Sequence, residues 1–301
     1  MAQSHRFDLS PFTVPIGNYT PLSSFDPNYV EQIDGKKHSK KTLQEDIGDL
    51  SEAQELLWAS KKNSILIVFQ AMDAAGKDGT IKHVMTGINP QGCDVYSFKA
   101  PTEEERLHHF LWRPHRYLPP RGKIAIFNRS YYEEVLVVRV HPEILNHEWL
   151  PVDHREAPLD EIWKSRYEEI NDFEKRISNN GISVIKFFLN VSKEEQRNRF
   201  LRRLNLPGKQ WKFSVSDYKE RQHWDDYQNA YEQMLNATST ASAPWYVVPA
   251  NNKWFMRAVV ADVITNRIEK LNLQFPEVTQ ETVDRLDEVR SRLMAEEDAQ
   301  D

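Results

Sequence analysis

Residues 64–80 read SILIVFQAMDAAGKDGT, a run of β-branched and apolar residues followed by small ones that end in Gly76-Lys77. That order predicts strand, phosphate loop, helix. Small residues let backbone N–H groups turn onto phosphate oxygens, the lysine neutralises their charge, and the N-terminus of the next helix adds partial positive charge. Polyphosphorylated ligands are therefore expected at Ala74, Ala75, Gly76, Lys77, Asp78, Gly79 and Thr80.

The match to G-x-x-x-x-G-K-[ST] is imperfect. Ala71 stands at the first glycine, and Asp78 replaces the hydroxyl residue that ordinarily binds Mg2+. Asp73 and Asp78 thus bring two carboxylates to a place where bare carboxylates would repel phosphate. Their functional use would be to hold Mg2+, or Mn2+ in its stead, between themselves and the phosphates. Without that function, Asp73 reads as a turn residue and Asp78 as an acid favoured by the helix dipole.

Two other segments follow predicted strands: Lys99-Ala-Pro-Thr102 after CDVYSF, and Asn128-Arg129-Ser130 after KIAIF. In open α/β sheets ligands bind at the carboxyl ends of strands, so these segments are expected beside the phosphate loop. Asn128 falls where an aspartate usually holds Mg2+, which shifts the metal burden to Asp73, Asp78 and Glu133 or Glu134. Farther on, Arg197 to Arg221 holds eight Lys and Arg against Asp217 and Glu220, a local charge of +6. Arg199, Arg202 and Arg203 are spaced i, i+3, i+4 and share a helix face. Guanidinium forks suit phosphate oxygens. Carried on a mobile lid, they would stabilise charge on a transferring phosphoryl group and exclude water. Read alone, such a run is a solvated face. Trp211, Phe213, Trp224 and Tyr227 interleave with the bases. Nucleic-acid binding uses that mixture too, but tryptophans at helical spacing more often pack a hairpin core.

The elements that must position these residues read as alternating strands and helices, an α/β arrangement with a mainly parallel sheet of about five strands covered on both faces. Ser51 to Gln54 and Thr102 to Glu105 have the spacing of capping boxes, the first opening a short helix and the second a helix with Leu107, Phe110 and Leu111 facing the core. The helix after the loop is expected to run to about residue 88. ISVIKFFLNV and WYVVPA read as the later strands, Ser192 as a helix cap, and Pro207-Gly208 as a break in a basic helical hairpin. Residues 1–50 are expected to form an arm packed on the core, 51–275 the main domain with a lid at about 196–236, and 276–301 an acidic helical tail.

The formal net charge of −6 is concentrated in that tail: Pro276 to Asp301 carries nine acids and three bases, which leaves the rest neutral. No apolar stretch of membrane-spanning length occurs and the start, MAQSHRFDLSPF, lacks a signal-peptide pattern, so a cytoplasmic protein is expected. A single cysteine, Cys93, allows no internal disulfide and reads as core filler rather than nucleophile. The histidines show no zinc spacing.

Taken together, QAMDAAGKDG (70–79), FKAPTEEERLHHFLWRPHR (98–116), FNRSYYEEVLVVRVHPE (127–143), EEQRNRF (194–200) and LPGKQWKFSVSDYKER (206–221) resemble the polyphosphate kinase 2 family, its class III branch in particular, over roughly residues 30–275. The Asn of FNRS is similar to that branch's form, whereas other branches carry DRS. The resemblance implies a P-loop kinase-like three-layer α/β/α fold with a helical lid, Mg2+ dependence, and reversible phosphoryl transfer between inorganic polyphosphate and nucleotides. AMP would pass through ADP to ATP, with guanine nucleotides as further acceptors, in a homodimer or homotetramer that engages neither nucleic acid nor membrane. By position it puts the family's catalytic residues on Asp73, Lys77, Arg129, Arg199 and Arg203, its post-loop aspartate on Asp78 and its acidic residue after the NRS run on Glu133; further phosphate and substrate contacts are expected at Lys99, Asn128, Arg139, Lys209 and Lys212. Two other readings stay open: an ATP-dependent nucleotide kinase of thymidylate-kinase type, and a nucleic-acid-binding P-loop module. The second would call for a basic domain.

Overall fold

A strand buried along its whole length, Ser64–Gln70 (β1), forms the centre of the molecule. Its run of Ile, Leu, Val and Phe has no polar alternation because both faces of a parallel sheet are covered. The computed structural model describes residues 6–33, 35–148, 150–151 and 157–298. Around β1 stand Cys93–Ser97 (β2), Ile124–Asn128 (β3), Ile182–Asn190 (β4) and Trp245–Pro249 (β5), in the order β2-β3-β1-β4-β5. All pairings between these strands are parallel, with Ile67 level with Ile126 on one side and Ile185 on the other.

One face of the sheet carries Gly35–Ser60 (α1), Lys77–Val84 (α2) and, far along the chain, Lys253–Glu269, with this last helix packed on both α1 and α2. That third helix is buried nearly all round, so its sequence shows little amphipathic period. Opposite lie Glu133–Val140, Leu159–Asn179 and Trp224–Thr238, packed on one another. Between the two faces the first and fourth strands separate the crossovers that run to either side. This is the switch point at which α/β sheets bind ligands.

Short helices complete the order. Glu103–Arg106 (α3) and Trp112–His115 (α4) follow β2, so the opposite-face helices become α5 (133–140), α6 (159–179) and α9 (224–238). Lys193–Asn205 (α7) and Val215–Gln222 (α8) form the basic hairpin around a 3-10 turn at Pro207–Lys212. The helix 253–269 is α10, and Gln280–Asp298 is α11.

Several local expectations change. Ser51 does not start a helix, because α1 already runs from Gly35; its hydroxyl donates instead to the carbonyl of Gly87, and Gln54 is buried. Tertiary packing overrides the cap signal there. The box at Thr102 does form, with Thr102 N–H donating to Glu105 and Glu105 N–H donating to the Thr102 hydroxyl, yet α3 lasts one turn and Leu107 is exposed. The helix after the loop ends at Val84, not at about 88. Residues before α1 reach the far edge of the sheet, where Val14 and Phe12 exchange backbone bonds with Trp245 and Val247, and Phe12 stacks edge-on against Phe255. No helix among the described residues is long and apolar enough to cross a membrane.

Burial is sharply uneven, since Ile67 is fully enclosed whereas every described side chain from Gln274 to Glu296 is exposed. Ile67→Ala is expected to lower unfolding stability in urea by about 2–5 kcal/mol. Leu286→Ala, on α11, is expected to change it by less than about 0.5 kcal/mol.

Candidate active site

The phosphate loop leaves β1 at Ala71 and turns into α2 through two positive-φ residues, Ala74 (φ 62) and Gly76 (φ 115). A side chain at Gly76 would be strained by that backbone and would meet Met256 at 3.5 Å. Lys77 folds back over the loop, its ammonium donating to the Ala71 carbonyl at 2.6 Å. Burial, then the charge of Arg129, pushes the Lys77 ammonium below its ordinary pKa. The loop is thus shaped to present N–H groups and one crowded cation.

From the third strand, Arg129 takes a positive φ of 63 and its N–H donates to the Phe69 carbonyl at 3.1 Å, which ties the turn after β3 to the end of β1. Its guanidinium pairs with Asp73 at 2.9 Å and reaches Glu133 at 3.8 Å. Glu133, and after it Asp73, holds Arg129 firmly protonated against the cost of burial. Burial in turn pushes the Glu133 carboxyl up, while Arg129 and Lys77 oppose the shift. Gln70, with its amide oriented to satisfy its neighbours, donates to Glu133 at 2.9 Å and accepts from Ser130. Asn128 donates to Asp78 at 2.8 Å.

The hairpin α7–α8 roofs this arrangement, and one of its arginines is built into the loop. Arg199 is buried, donating from one nitrogen to the carbonyls of Ala74 and Ala75, from another to those of Ala250 and Asn251, and from Nε to Glu195. Its neighbour Gln196 donates to the Asp73 carbonyl at 2.9 Å and accepts from Arg221 at 2.6 Å. Sequence spacing put Arg199, Arg202 and Arg203 on one face; burial divides them. Arg203 is held by Asp217 at 3.7 Å and lies over the Phe200 ring.

These groups line a cleft of about 1000 Å³ that includes Asp73 to Gly79, Lys99, Asn128, Arg129, Arg199, Arg203, Lys209 and Lys212. Of the residues expected from sequence, three lie elsewhere, and one of them, Glu133, lines the neighbouring cleft described below. Thr80 is buried, its hydroxyl donating to the Gly76 carbonyl and facing Met256, since one further turn of helix carries it under the loop. Arg139 sits at the far end of α5, donating to the Tyr167 hydroxyl and lying over Trp163. Conversely, Arg202, Trp211, Asp217, Lys253 and Arg257 line the cleft. Lys253 and Arg257, at i, i+4 in the first turns of α10, carried a readable basic signal; nothing in the sequence said which loop they face.

A second, mostly apolar cleft of about 670 Å³ opens beside the first and shares Phe98, Lys99, Ala100 and Arg129 with it. Leu107, Val137, Ile144 and Ile162 form its walls. Arg166 is buried beneath, paired with Glu134 and Glu148, and the Glu134 carboxyl is pushed up to about 7 by burial and then by Glu148. Arg113 donates to the Lys99 carbonyl at 2.8 Å and so fixes the loop that both clefts share. Cys93 lies outside both clefts, and burial pushes its thiol up to about 11, away from nucleophilic character.

Among the described residues no cluster of three or more Asp, Glu, His or Cys is placed to hold a metal. The phosphate cleft offers Asp73 and Asp78. That donor set fits a hard divalent cation, which one or two carboxylates can hold while phosphate oxygens and water would complete its shell.

Comparison with known proteins agrees with this geometry. The family profile of polyphosphate kinase 2 (PPK2) matches residues 33–276. The chain is similar to the ADP-polyphosphate phosphotransferase of Rhodopseudomonas palustris, 49% identical over 283 residues that cover 94% of this chain and 97% of that protein. It is also similar to the AMP/ADP-polyphosphate phosphotransferase of Meiothermus ruber, 42% identical over 257 residues, covering 85% of this chain and 91% of that one. Among solved structures, polyphosphate kinase 2 from Arthrobacter aurescens superposes with a TM-score of 0.85 at 36% identity, over 96% of this chain and 99% of that one.

Lys253 gives the cleft a measurable pH dependence. Partial burial, followed by the charges of Arg199 and Arg202, pushes its ammonium down to about 8. A bound polyanion favours the charged form and raises that pKa, so affinity is level below the free value and falls as pH rises through it. By calorimetry, long-chain polyphosphate affinity is expected to fall by up to about tenfold per pH unit above pH 8, and Lys253→Met is expected to lose most of that slope.

Proposed function

The chain belongs to the polyphosphate kinase 2 family, and from that premise we propose that it transfers phosphoryl groups from inorganic polyphosphate to AMP and ADP, reversibly and with Mg2+ as the divalent ion. The observation that carries this reading is the meeting of two unlike clefts at Arg129 and Lys99: a long basic one suited to a chain of phosphates, and an apolar one suited to a nucleoside. Polyphosphate would lie along Lys209, Lys212, Arg203 and the loop, and the acceptor nucleoside against Phe98, Val137 and Ile144.

In the proposed reaction an oxygen of the acceptor's terminal phosphate attacks the end phosphorus of polyphosphate in line. The P–O bond to the rest of the chain breaks, and the shortened chain leaves with that bond's electrons. Acceptor phosphates are ionised near neutral pH, so no strong base is required. Lys77 and Arg129 neutralise charge as it moves between the phosphates, and their fixed positions supply much of the acceleration. The ion held by Asp73 and Asp78, when bound, would further neutralise phosphate oxygens. Arg199 serves here by shaping the loop through the carbonyls it binds, rather than by touching phosphate. The hairpin α7–α8, the outer part of the segment expected as a lid at about 196–236, acts as the lid that shuts out water, while α9 stays packed on the sheet.

AMP and ADP are both named for the Meiothermus ruber relative, and ADP for the one from Rhodopseudomonas palustris. We assign both acceptors here on the Asn128-Arg129-Ser130 turn with Glu133 beside it, and extend them to GMP and GDP on the strength of the family resemblance. A homodimer or homotetramer is the assembly we infer from the family. An ATP-dependent kinase of thymidylate-kinase type is not favoured by the family membership.

The test is to incubate the protein with Mg2+, long-chain polyphosphate and AMP, ADP, GMP or GDP, and resolve products over time. ATP formed from AMP by way of ADP is the expected result; no product without added ATP would overturn the reading. Asp73→Ala and Lys77→Ala are each expected to lower kcat by at least about a hundredfold with the circular dichroism spectrum unchanged.

A further inference from the structure

Directly after Arg129 and Ser130 the chain places two tyrosines whose rings are fully enclosed. Both hydroxyls donate to the same carboxylate oxygen of Glu174, Tyr131 at 2.7 Å and Tyr132 at 2.8 Å. The other oxygen of Glu174 accepts from the Lys186 ammonium at 2.6 Å, and neither side chain of this pair has any solvent exposure. Lys186 also donates to the Tyr132 hydroxyl at 2.8 Å and to the Thr238 carbonyl at 2.7 Å. Its three ammonium hydrogens are thereby all used.

The elements joined here are informative. Glu174 belongs to α6, Lys186 to the middle of β4, Tyr131 and Tyr132 to the turn that leads into α5, and Thr238 is the last residue of α9, the core helix that follows the hairpin and leads to β5. Thr238 is further fixed by Trp245, whose indole N–H donates to its hydroxyl at 2.8 Å, and Trp245 packs edge-on against Tyr132. A buried ion pair of this kind is a costly way to gain stability, since apolar residues of similar volume often do as well or better. What it supplies is geometry: charge-assisted hydrogen bonds of fixed direction that a greasy contact lacks.

We propose that Glu174 and Lys186, acting through Tyr131 and Tyr132, are positioning residues for Arg129, and that they fix the Arg129 turn and the C-terminal end of α9 from one buried point. The proposal rests on the catalytic role assigned above to Arg129. That residue sits at a backbone conformation unfavourable for a side-chain-bearing residue, held on one side by its bond to Phe69. On the other side only Ser130 separates it from the tyrosine pair. Gln70 grips Ser130 and Glu133 from the end of β1 and anchors the turn on that side; the tyrosine pair needs a second anchor. The bonds from Glu174 and Lys186 come from α6 and from the sheet strand β4, outside the turn and distant from it along the chain, and tie it to the packed core.

Removing one hydroxyl tests this without opening a large cavity or stranding a charge. Steady-state kcat and KM for polyphosphate, with ADP as acceptor, are measured for wild type, Tyr131→Phe, Tyr132→Phe, Arg129→Lys and the double variant Tyr132→Phe with Arg129→Lys. All are assayed at a temperature where circular dichroism shows each folded. Tyr132→Phe is expected to lower kcat about tenfold with KM changed less than about twofold, and the double variant to be no slower than Arg129→Lys alone. Tyr131→Phe is expected to act in the same direction and replaces Tyr132→Phe in the cycle if the latter does not fold.

Losses that multiply in the double variant would overturn the proposal, as would lower melting temperatures for both tyrosine variants with wild-type kcat. The two readings fail differently. If Arg129→Lys is slow while both tyrosine variants run at wild-type kcat, the positioning role is wrong and the function stands. If Arg129→Lys itself keeps wild-type kcat, the assignment of Arg129 is wrong and the positioning role falls with it.

Discussion

Positive charge gathered at the end of β1 is the constraint around which the rest of this structure is arranged. Lys77, Arg129, Arg199, Arg202, Arg203, Lys253 and Arg257 all border one cleft, and like charges so placed repel. Burial first, and that repulsion second, pushes the ammoniums of Lys77 and Lys253 below their ordinary pKa. Such a site is poised to gain when a polyanion enters. Its own carboxylates, Asp73, Glu133, Glu195 and Asp217, hold the cations apart and oriented until then.

The cations divide into two kinds by how many partners they have. Arg199 is saturated by backbone carbonyls and a carboxylate, so it works as a brace that binds the loop, the start of the lid and the end of β5 into one body. Arg129 is paired but keeps a face toward both clefts, with two acids to hold it in place. Lys209 and Lys212 stand exposed on the 3-10 turn of the hairpin, where their long stems can follow a flexible chain. On the proposed reading, rigid groups would surround the reacting phosphorus, and exposed, long-stemmed ones would line the track that leads to it.

Much of this was legible because local chemistry carried it. The strand, loop and helix at 64–84 are written in a β-branched run, small residues and a lysine, and each feature acts within a few residues of itself. The capping signals at Thr102 and Ser192 hold for the same reason. Ser51 fails because its pattern lies inside a longer helix whose buried face, against α10, outweighs a cap. Thr80 and Arg139 fail because their distance along the chain from known motif residues says nothing about which side of a helix or which end of it they occupy. The Glu174–Lys186 pair was unreadable: two ordinary charges in α6 and β4 reveal their burial only when the sheet closes over them.

By itself the sequence determined the kind of ligand, through the loop that ends in Gly76-Lys77 and the excess of bases from Arg197 to Arg221, and the alternation of strands and helices that makes a parallel sheet. These are short-range properties, set by residue type and spacing. The tertiary structure alone decided which arginines line the cleft free of the loop and which is locked beneath it, that Lys253 and Arg257 arrive from the last helix of the core, and that a basic and an apolar cleft meet at Arg129. Those facts depend on contacts between residues tens to hundreds of positions apart. Sheet order and burial fix such contacts, and no local pattern encodes them.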